Sequence, residues 1–437
     1  MKKVILISLN REMNPPVFPL GIGYLSSSLR REGFCVKIID ILHLQNYNIE
    51  IKDYIKNFAP NIIGISIRNI DNTCLNKYRN FISEYQKIIF NIQAAFPSIH
   101  IIIGGSAFSI FPKIFLKILR VKYGILGGNL HDAVNIFKQL MENNIDLKSP
   151  SLVFMSKKNT IQINPPSKNF FLEDFPFPDR DNFIHPIQNN IKIRHNLQSK
   201  IGCAFNCLYC SYPLIEGNKV QCRSIPNIIN EIIELTEVYK IYEFDFVDSV
   251  FNFPPKHAYD ICKEIIKRKI SVSWSCFIHP HFISRDFLLT LKNAGCSNVE
   301  IGIDSGSIVC LKSLRKNLSK EDIIKSILIC QEINLSYSVC LIFGAPNETN
   351  STVIETLDLM NELHVTNLFA LIGIRVLPKT PIQKMYFKST NMEKQFSPLF
   401  YLSNKTDSNS IRLIFERYKK TNKNWIIIYN TSVNFYR

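Results

Sequence analysis

The stretch Gly202–Cys210, GCAFNCLYC, comes directly after an apolar strand expected at Ile193–Gln198. Three thiols in the pattern Cys203-x-x-x-Cys207-x-x-Cys210 can converge on one inorganic centre. Thiolates select soft metals, so zinc and iron–sulfur are the candidates. A structural zinc site takes four protein ligands, and Cys222 could be the fourth. Three ligands to a four-iron cluster would instead leave one iron open for a small molecule. Outward from this loop, strands are expected at Glu243–Val247, Val272–Phe277, Asn298–Ile303, Ser336–Phe343 and Leu368–Ile374. Helices are expected between them, near Ile225–Tyr239, Pro255–Arg268, Arg285–Ala294, Lys320–Ile333 and Thr352–Leu363. Ser319 with Asp322 three positions on has the form of a capping box. Six strand–helix repeats suit a parallel barrel, complete or partial, whose active residues sit at the carboxyl ends of the strands. Those ends carry the cysteine loop, Asp248 and Ser249, His279 and His281, Glu300, Gly302, Asp304 and Ser305, then Gly344–Glu348, and Gly373 with Arg375.

The N-terminal third also alternates. Val4–Leu9, Cys35–Asp40, Ile62–Ile67, Ile101–Ile103 and Tyr123–Leu126 are unbroken apolar runs. Helical patterns cover Leu20–Arg31, Leu75–Phe96 and Asp132–Asn143. Strands buried on both faces read this way, and alternation with helices implies a doubly wound parallel sheet. Such sheets bind ligands beyond the carboxyl ends of their strands; here those ends hold Asn10, Asp40, Arg68, Asn69, Gly104, Gly105, Ser106, Gly127 and Gly128. Gly21-x-Gly23-x-x-Ser26 lies well past the first strand and supports a dinucleotide site only weakly. Six prolines between Pro150 and Pro186 mark an extended bridge, with a hairpin possible at Leu152–Met155 and Thr160–Ile163. The organisation expected is a Rossmann-like α/β domain over 1–148, a proline-rich linker over 149–190, a partial (β/α)6 barrel over 191–380 and a small C-terminal extension over 381–437.

Composition narrows the class. The chain has 437 residues, 46% hydrophobic and 20% charged, with 52 Lys and Arg against 36 Asp and Glu. This is globular composition, and no apolar run is long enough to span a membrane. The opening MKKVILISLN reads as a first strand rather than a signal peptide. The net charge of +16 is scattered through the chain, so nucleic acid is not an expected partner. Of the 12 cysteines, nine lie outside the loop: Cys35, Cys74, Cys222, Cys262, Cys276, Cys296, Cys310, Cys330 and Cys340. Most sit in apolar strands or helices, where free cysteine packs as a small hydrophobe. Reduced thiols point to the cytoplasm. In the tail, Trp425 and Tyr429 are expected to pack.

The cysteine loop with Tyr209 before its last thiol resembles the signature of radical S-adenosylmethionine enzymes. FVDSVFNFP, NAGCSNVEIGIDSGS, CLIFGAPNET and GIRVLPKTP are similar to the subgroup that carries an N-terminal cobalamin-binding domain. PLGIGYLSSSLRREG, GISIRNIDN and IIIGGSAFSIFP resemble that domain. The resemblance covers about residues 1–390. It implies that Cys203, Cys207 and Cys210 ligate a [4Fe–4S] cluster whose open iron binds the amino and carboxylate groups of S-adenosylmethionine. It implies Tyr209 beside the adenine, and Asp248 where the family contacts the amino group, although the usual Gly-Gly-Glu is missing. Glu300 and Asp304 would serve the ribose or amino-acid part, and Gly344 and Glu348 the adenine pocket. Arg68, Asn69, Gly104, Gly105, Gly127 and Gly128 would cradle cobalamin. The Asp-x-His-x-x-Gly motif is absent, and His43 and His131 stand in other contexts, so no histidine is expected below the cobalt.

The resemblance further implies radical C-methylation of a small molecule, with electrons from a flavodoxin- or ferredoxin-like donor. Relatives of the same architecture carry out cyclisation or rearrangement in tetrapyrrole or lipid biosynthesis. A methylthiotransferase would add a second cluster and an RNA-binding barrel, and neither is read here. Two other classes stay open: a cobalamin- or metal-binding sensor without turnover, and a zinc-based nucleic-acid module.

Overall fold

The computed structural model describes residues 2–10, 12, 16–73, 75, 78–156, 158–167, 172–183, 193–387 and 398–428. Cys74, Tyr429 and parts of the proline-rich bridge lie outside the described residues.

The first unit is built on β1 (Lys3–Ser8), β2 (Cys35–Asp40), β3 (Ile62–Ser66), β4 (His100–Gly104) and β5 (Tyr123–Ile125). They pair in parallel in the order β2-β1-β3-β4-β5. Five of the six residues of β1 are buried, because one apolar core lies on each side of the sheet. The hairpin expected in the bridge forms as β6 (Leu152–Met155) and β7 (Ile161–Ile163). It adds antiparallel to β5, so residues 152–163 extend the first sheet rather than belong to the linker. The helix expected from Leu75 begins only at Ile82. Asn80 Oδ1 accepts the Ile82 N–H at 2.7 Å and Asp71 bridges to Asn80, so the helix starts after this pairing.

The second unit begins with β8 (His195–Leu197) and a short antiparallel pair, β9 (Lys200–Ile201) and β10 (Gln221–Cys222). Then come β11 (Glu243–Phe246), β12 (Ser273–Ile278), β13 (Cys296–Asp304), β14 (Ser336–Phe343) and β15 (Leu368–Ile372). Gly373, at φ +80°, separates β15 from β16 (Ile374–Arg375). β17 (Phe400–Tyr401) pairs antiparallel with β16, and β18 (Trp425–Ile428) pairs parallel with β15. The large sheet runs β18-β15-β14-β13-β12-β11-β8, all parallel, and the edges β18 and β8 do not pair. It is an open barrel of the six expected strands, widened by a seventh from the C-terminal extension. The five barrel helices start and stop within two residues of expectation, and the capping box at Ser319 and Asp322 is present. Trp425 is fully buried, with its Nε1–H on the Val365 carbonyl. Among the described residues, no helix is long and apolar enough to cross a membrane.

Candidate active site

The cysteine loop leaves β9 through Gly202, whose φ is +91° and whose missing Cβ would lie 2.2 Å from the Lys219 carbonyl oxygen. Only glycine lets the two strands at the loop's base approach this closely. The Cys203 N–H then bonds the Gly217 carbonyl at 3.1 Å. Leu208, fully buried, is bonded to both Leu314 and Ile382 through its backbone and anchors the middle of the loop. Cys203 is buried, while Cys207 and Cys210 are half-buried. The three thiols act on one another electrostatically, and burial pushes Cys207 up to about 11 and Cys210 up to about 12. Cys222 is not drawn into this group. It lies exposed on β10, where its charged neighbours are Lys200 and Asp248. Among the described residues, no three Cys, His, Asp or Glu side chains meet at a single metal-ion position.

A cavity of about 290 Å³ opens at the barrel mouth beside the loop, walled by Tyr209, Ser249, Phe277, Gly302, Asp304 and Lys316, among others. The register of β13 shifts between Gly302 and Asp304, and Asp304 takes φ +70°, which turns its carboxylate toward the loop. The Tyr209 hydroxyl donates to Asp304 Oδ2 at 2.7 Å, and Lys316 Nζ sits 3.0 Å from the same oxygen. Lys316 has no place in the sequence expectations. It is one lysine among many, and only its burial beside Asp304, Cys207 and Cys210 singles it out. His279 is buried and stacks on Phe205 of the loop, with ring centroids 5.0 Å apart. Burial and Lys316 lower its pKa to about 4.

Two expected positions serve the scaffold, and a third stands outside the cavity's lining. Asp248 is 1% exposed, and its carboxylate accepts the N–H groups of Ser199 and Lys200 and the Ser199 hydroxyl. Its oxygens are spent on the base of the cysteine loop, so it does not reach the cavity for a ligand's amino group; Ser249, next to it, does. Glu348 is fully buried and accepts the backbone N–H groups of Gly344 and Ala345. It closes its own loop behind the cavity, where Gly344 lies against Leu402 of the C-terminal extension. Glu300 is half-buried on β13, opposite Phe277, and is not among the cavity's walls.

A second cavity, of about 270 Å³, lies across the carboxyl ends of β1, β3, β4 and β5. Gly104, Gly105, Gly127 and Gly128 line it, as expected positions, and the barrel side contributes Gln198, Ile201 and Ile215. Gly105 has φ +100°, and a Cβ there would lie 2.5 Å from the Ile67 carbonyl oxygen. The Gly127 N–H is held by Ser109 Oγ at 2.8 Å. Arg68 and Asn69 stand outside this lining. Their carbonyls accept from Ser106 and Tyr85, and the Arg68 side chain is exposed. No histidine lines the cavity among the described residues.

The two units are fastened across this seam. Arg375 on β16 pairs with Asp71 of the first unit, Nε to Oδ2 at 2.9 Å and Nη2 to Oδ2 at 2.8 Å, with both side chains buried. On the other flank Arg223 reaches Tyr24 and Glu231, and Ser26 donates to Asp179 of the bridge at 2.6 Å.

Residues 199–360 match the model of the radical SAM superfamily. The chain is 23% identical to tryptophan 2-C-methyltransferase of Streptomyces laurentii, over 87% of this chain and 74% of that protein. It shares its fold with the radical S-adenosylmethionine methyltransferase TsrM of Kitasatospora setae, solved with cobalamin and a [4Fe–4S] cluster. The TM-score is 0.78 at 21% identity, over 87% of this chain and 74% of that one. It also shares it with the cobalamin-dependent S-adenosylmethionine radical enzyme OxsB, solved with aqua-cobalamin, at TM-score 0.78 and 17% identity, over 97% and 67%.

Proposed function

We propose that the chain is a cobalamin-dependent radical S-adenosylmethionine enzyme that transfers a methyl group to carbon in a small molecule. The observation that carries this reading is the pair of facing sites. One is a three-thiol loop beside a barrel-mouth cavity, and the other is a glycine-lined cavity at the ends of a parallel sheet, to which Gln198, Ile201 and Ile215 next to that loop contribute. The donor set suits an iron–sulfur cluster, because the loop offers three soft ligands and leaves a fourth position open. The second cavity suits cobalamin in part. Side chains at Gly104, Gly127 and Gly128 would narrow it. When bound, the cluster supplies an electron to S-adenosylmethionine and cobalamin carries the methyl group.

The chain's own residues hold these partners. Cys203, Cys207 and Cys210 would bind the cluster. Tyr209, Asp304 and Lys316 form one linked polar group on the wall where S-adenosylmethionine would lie. Lys316 is placed for a carboxylate, and Asp304 for a hydroxyl or amine. The apolar strands beneath exclude water from the reacting centre. The substrate is a small molecule, as tryptophan is for TsrM. Electrons would come from a flavodoxin- or ferredoxin-like protein in the reducing cytoplasm.

Anaerobic reconstitution tests the reading. The protein should hold about four iron and four sulfide per chain, bind cobalamin, and convert S-adenosylmethionine into both S-adenosylhomocysteine and 5′-deoxyadenosine. Cys203→Ala should lose the iron–sulfur absorption and both products. A Cys203→Ala protein with full cluster and turnover would refute the assignment, and 5′-deoxyadenosine without S-adenosylhomocysteine would indicate rearrangement instead of methylation.

A further inference from the structure

One carboxyl group at the seam has no task in the reading above. Glu216 follows the short helix Tyr212–Ile215 that leaves the cysteine loop. Its Oε2 accepts the Gly202 N–H at 3.2 Å and the Ser249 hydroxyl at 3.4 Å. Those contacts fix where it stands. Ile201 and Ile215 line the cavity of the first sheet, and Ser249 lines the cavity at the barrel mouth. Glu216 itself lines neither cavity, but its neighbour Ile215 lines one and its hydrogen-bond partner Ser249 lines the other, so it stands between them.

The charge around it is one-sided. Among the described residues, the charge that acts most on Glu216 is Asp248, of the same sign, and Lys200, the cation beside Asp248, is committed to that carboxylate at 3.7 Å. Burial, with Asp248, raises the Glu216 pKa to about 7. Its Oε1 accepts no hydrogen bond from the described residues, and it is not sealed in the interior as an orphaned buried atom. A half-buried carboxylate with one oxygen open and no ion-pair partner among the described residues is costly to ionise. A ligand that brings the missing cation removes that cost through a charge-assisted hydrogen bond. Nearby, Phe277 is 46% exposed into the mouth cavity, which offers an apolar surface to the body of such a ligand.

We infer that Glu216 is the substrate-recognition carboxylate of the seam, and that the substrate presents to it a protonated amine attached to an apolar body. This rests on the enzyme reading above and adds the chemical class of its substrate. Glu216 also braces Gly202, so a test must separate charge from scaffolding. Glu216→Gln keeps an acceptor for the Gly202 N–H and removes only the charge.

The experiment is calorimetric titration of the cofactor-loaded protein with phenethylammonium and with 3-phenylpropionate, probes of equal length and opposite charge. The wild-type protein should bind the ammonium ion at least about tenfold more tightly. Glu216→Gln should abolish that preference, and Glu216→Asp should reduce it. Equal or reversed affinities in the wild type, including no binding of either probe, would overturn the inference. So would a preference that survives Glu216→Gln. Iron, sulfide and cobalamin content and S-adenosylmethionine consumption are measured before any probe is added, so failure of the enzyme reading shows separately.

Discussion

Glu348 shows how one residue can be visible in the sequence and its work hidden. Its place after the fifth barrel strand marks it as a rim residue, but only the structure shows its carboxyl turned back on the N–H groups of Gly344 and Ala345. Burial raises its pKa from the usual carboxylate value to about 7. The folded state therefore holds this proton more tightly than the unfolded chain does. Stability from this group is greatest when it is protonated, falls as pH rises from about 4.5 to about 7, and is constant above. The shift corresponds to about 3 kcal/mol. Unfolding in denaturant across pH 5–8 should show Glu348→Gln gaining on the wild type up to about pH 7 and holding its lead above. A difference that stays flat with pH would show that the buried carboxyl is not the cause. Asp248 repeats the lesson, since its position is legible and its direction is not. Lys316 was not legible at all, because nothing in its spacing separates it from the other lysines. The three cysteines were, because thiols at that spacing have few other uses.

Elements were easier to read than residues wherever the periodicity was clean. The strands of the first sheet are near-continuous apolar runs and those of the barrel alternate buried with less buried positions. One-sided patterns mark the helices Ile225–Glu237, Pro255–Lys267 and Arg285–Asn293, and capping boxes mark Lys320–Glu332 and Asn350–Glu362. The helix Tyr47–Phe58 went unread because its buried face amounts to Ile51 and Ile55. The helix expected from Leu75 starts only at Ile82, because apolar spacing in the sequence runs back past the point where Asn80 bridges to Asp71. The C-terminal strand β18 could not be placed from its sequence, because nothing local says which edge an isolated apolar run will join. At this scale the turn after β4 is the most exacting part of the first unit. Gly105 combines φ +100° and ψ 170° with backbone contact to Ile67. Gly105→Ala should cost at least about 2 kcal/mol from strain and overlap together and should lower cobalamin content. Gly127→Ala, whose Cβ would meet only Ser109 Oγ at 3.2 Å, should cost much less. Thermal unfolding reads both, and equal losses of stability would mean that the turn geometry is not what matters.

At the scale of the whole molecule, the division into a sheet unit, a bridge and a barrel was legible, but the fastening between the units was not. Asp71 and Arg375 are about 300 residues apart, as their hydrogen bond records, and no local pattern joins them. Breaking a buried ion pair from one side leaves the other charge stranded, at roughly 3–5 kcal/mol. Arg375→Met should lose stability on that order, and Asp71→Leu combined with it should recover much of the loss in a double-mutant cycle. Additive losses would show that the pair is not coupled. The Arg223–Tyr24 and Ser26–Asp179 contacts fasten the opposite flank. A slot stitched along two sides admits guests according to their size. A small molecule needs little room to enter such a slot, whereas a molecule the size of a corrinoid would need the Asp71–Arg375 or Ser26–Asp179 contact to open. Under the proposed function, uptake of cobalamin by the folded protein should therefore be slow even where its affinity is high.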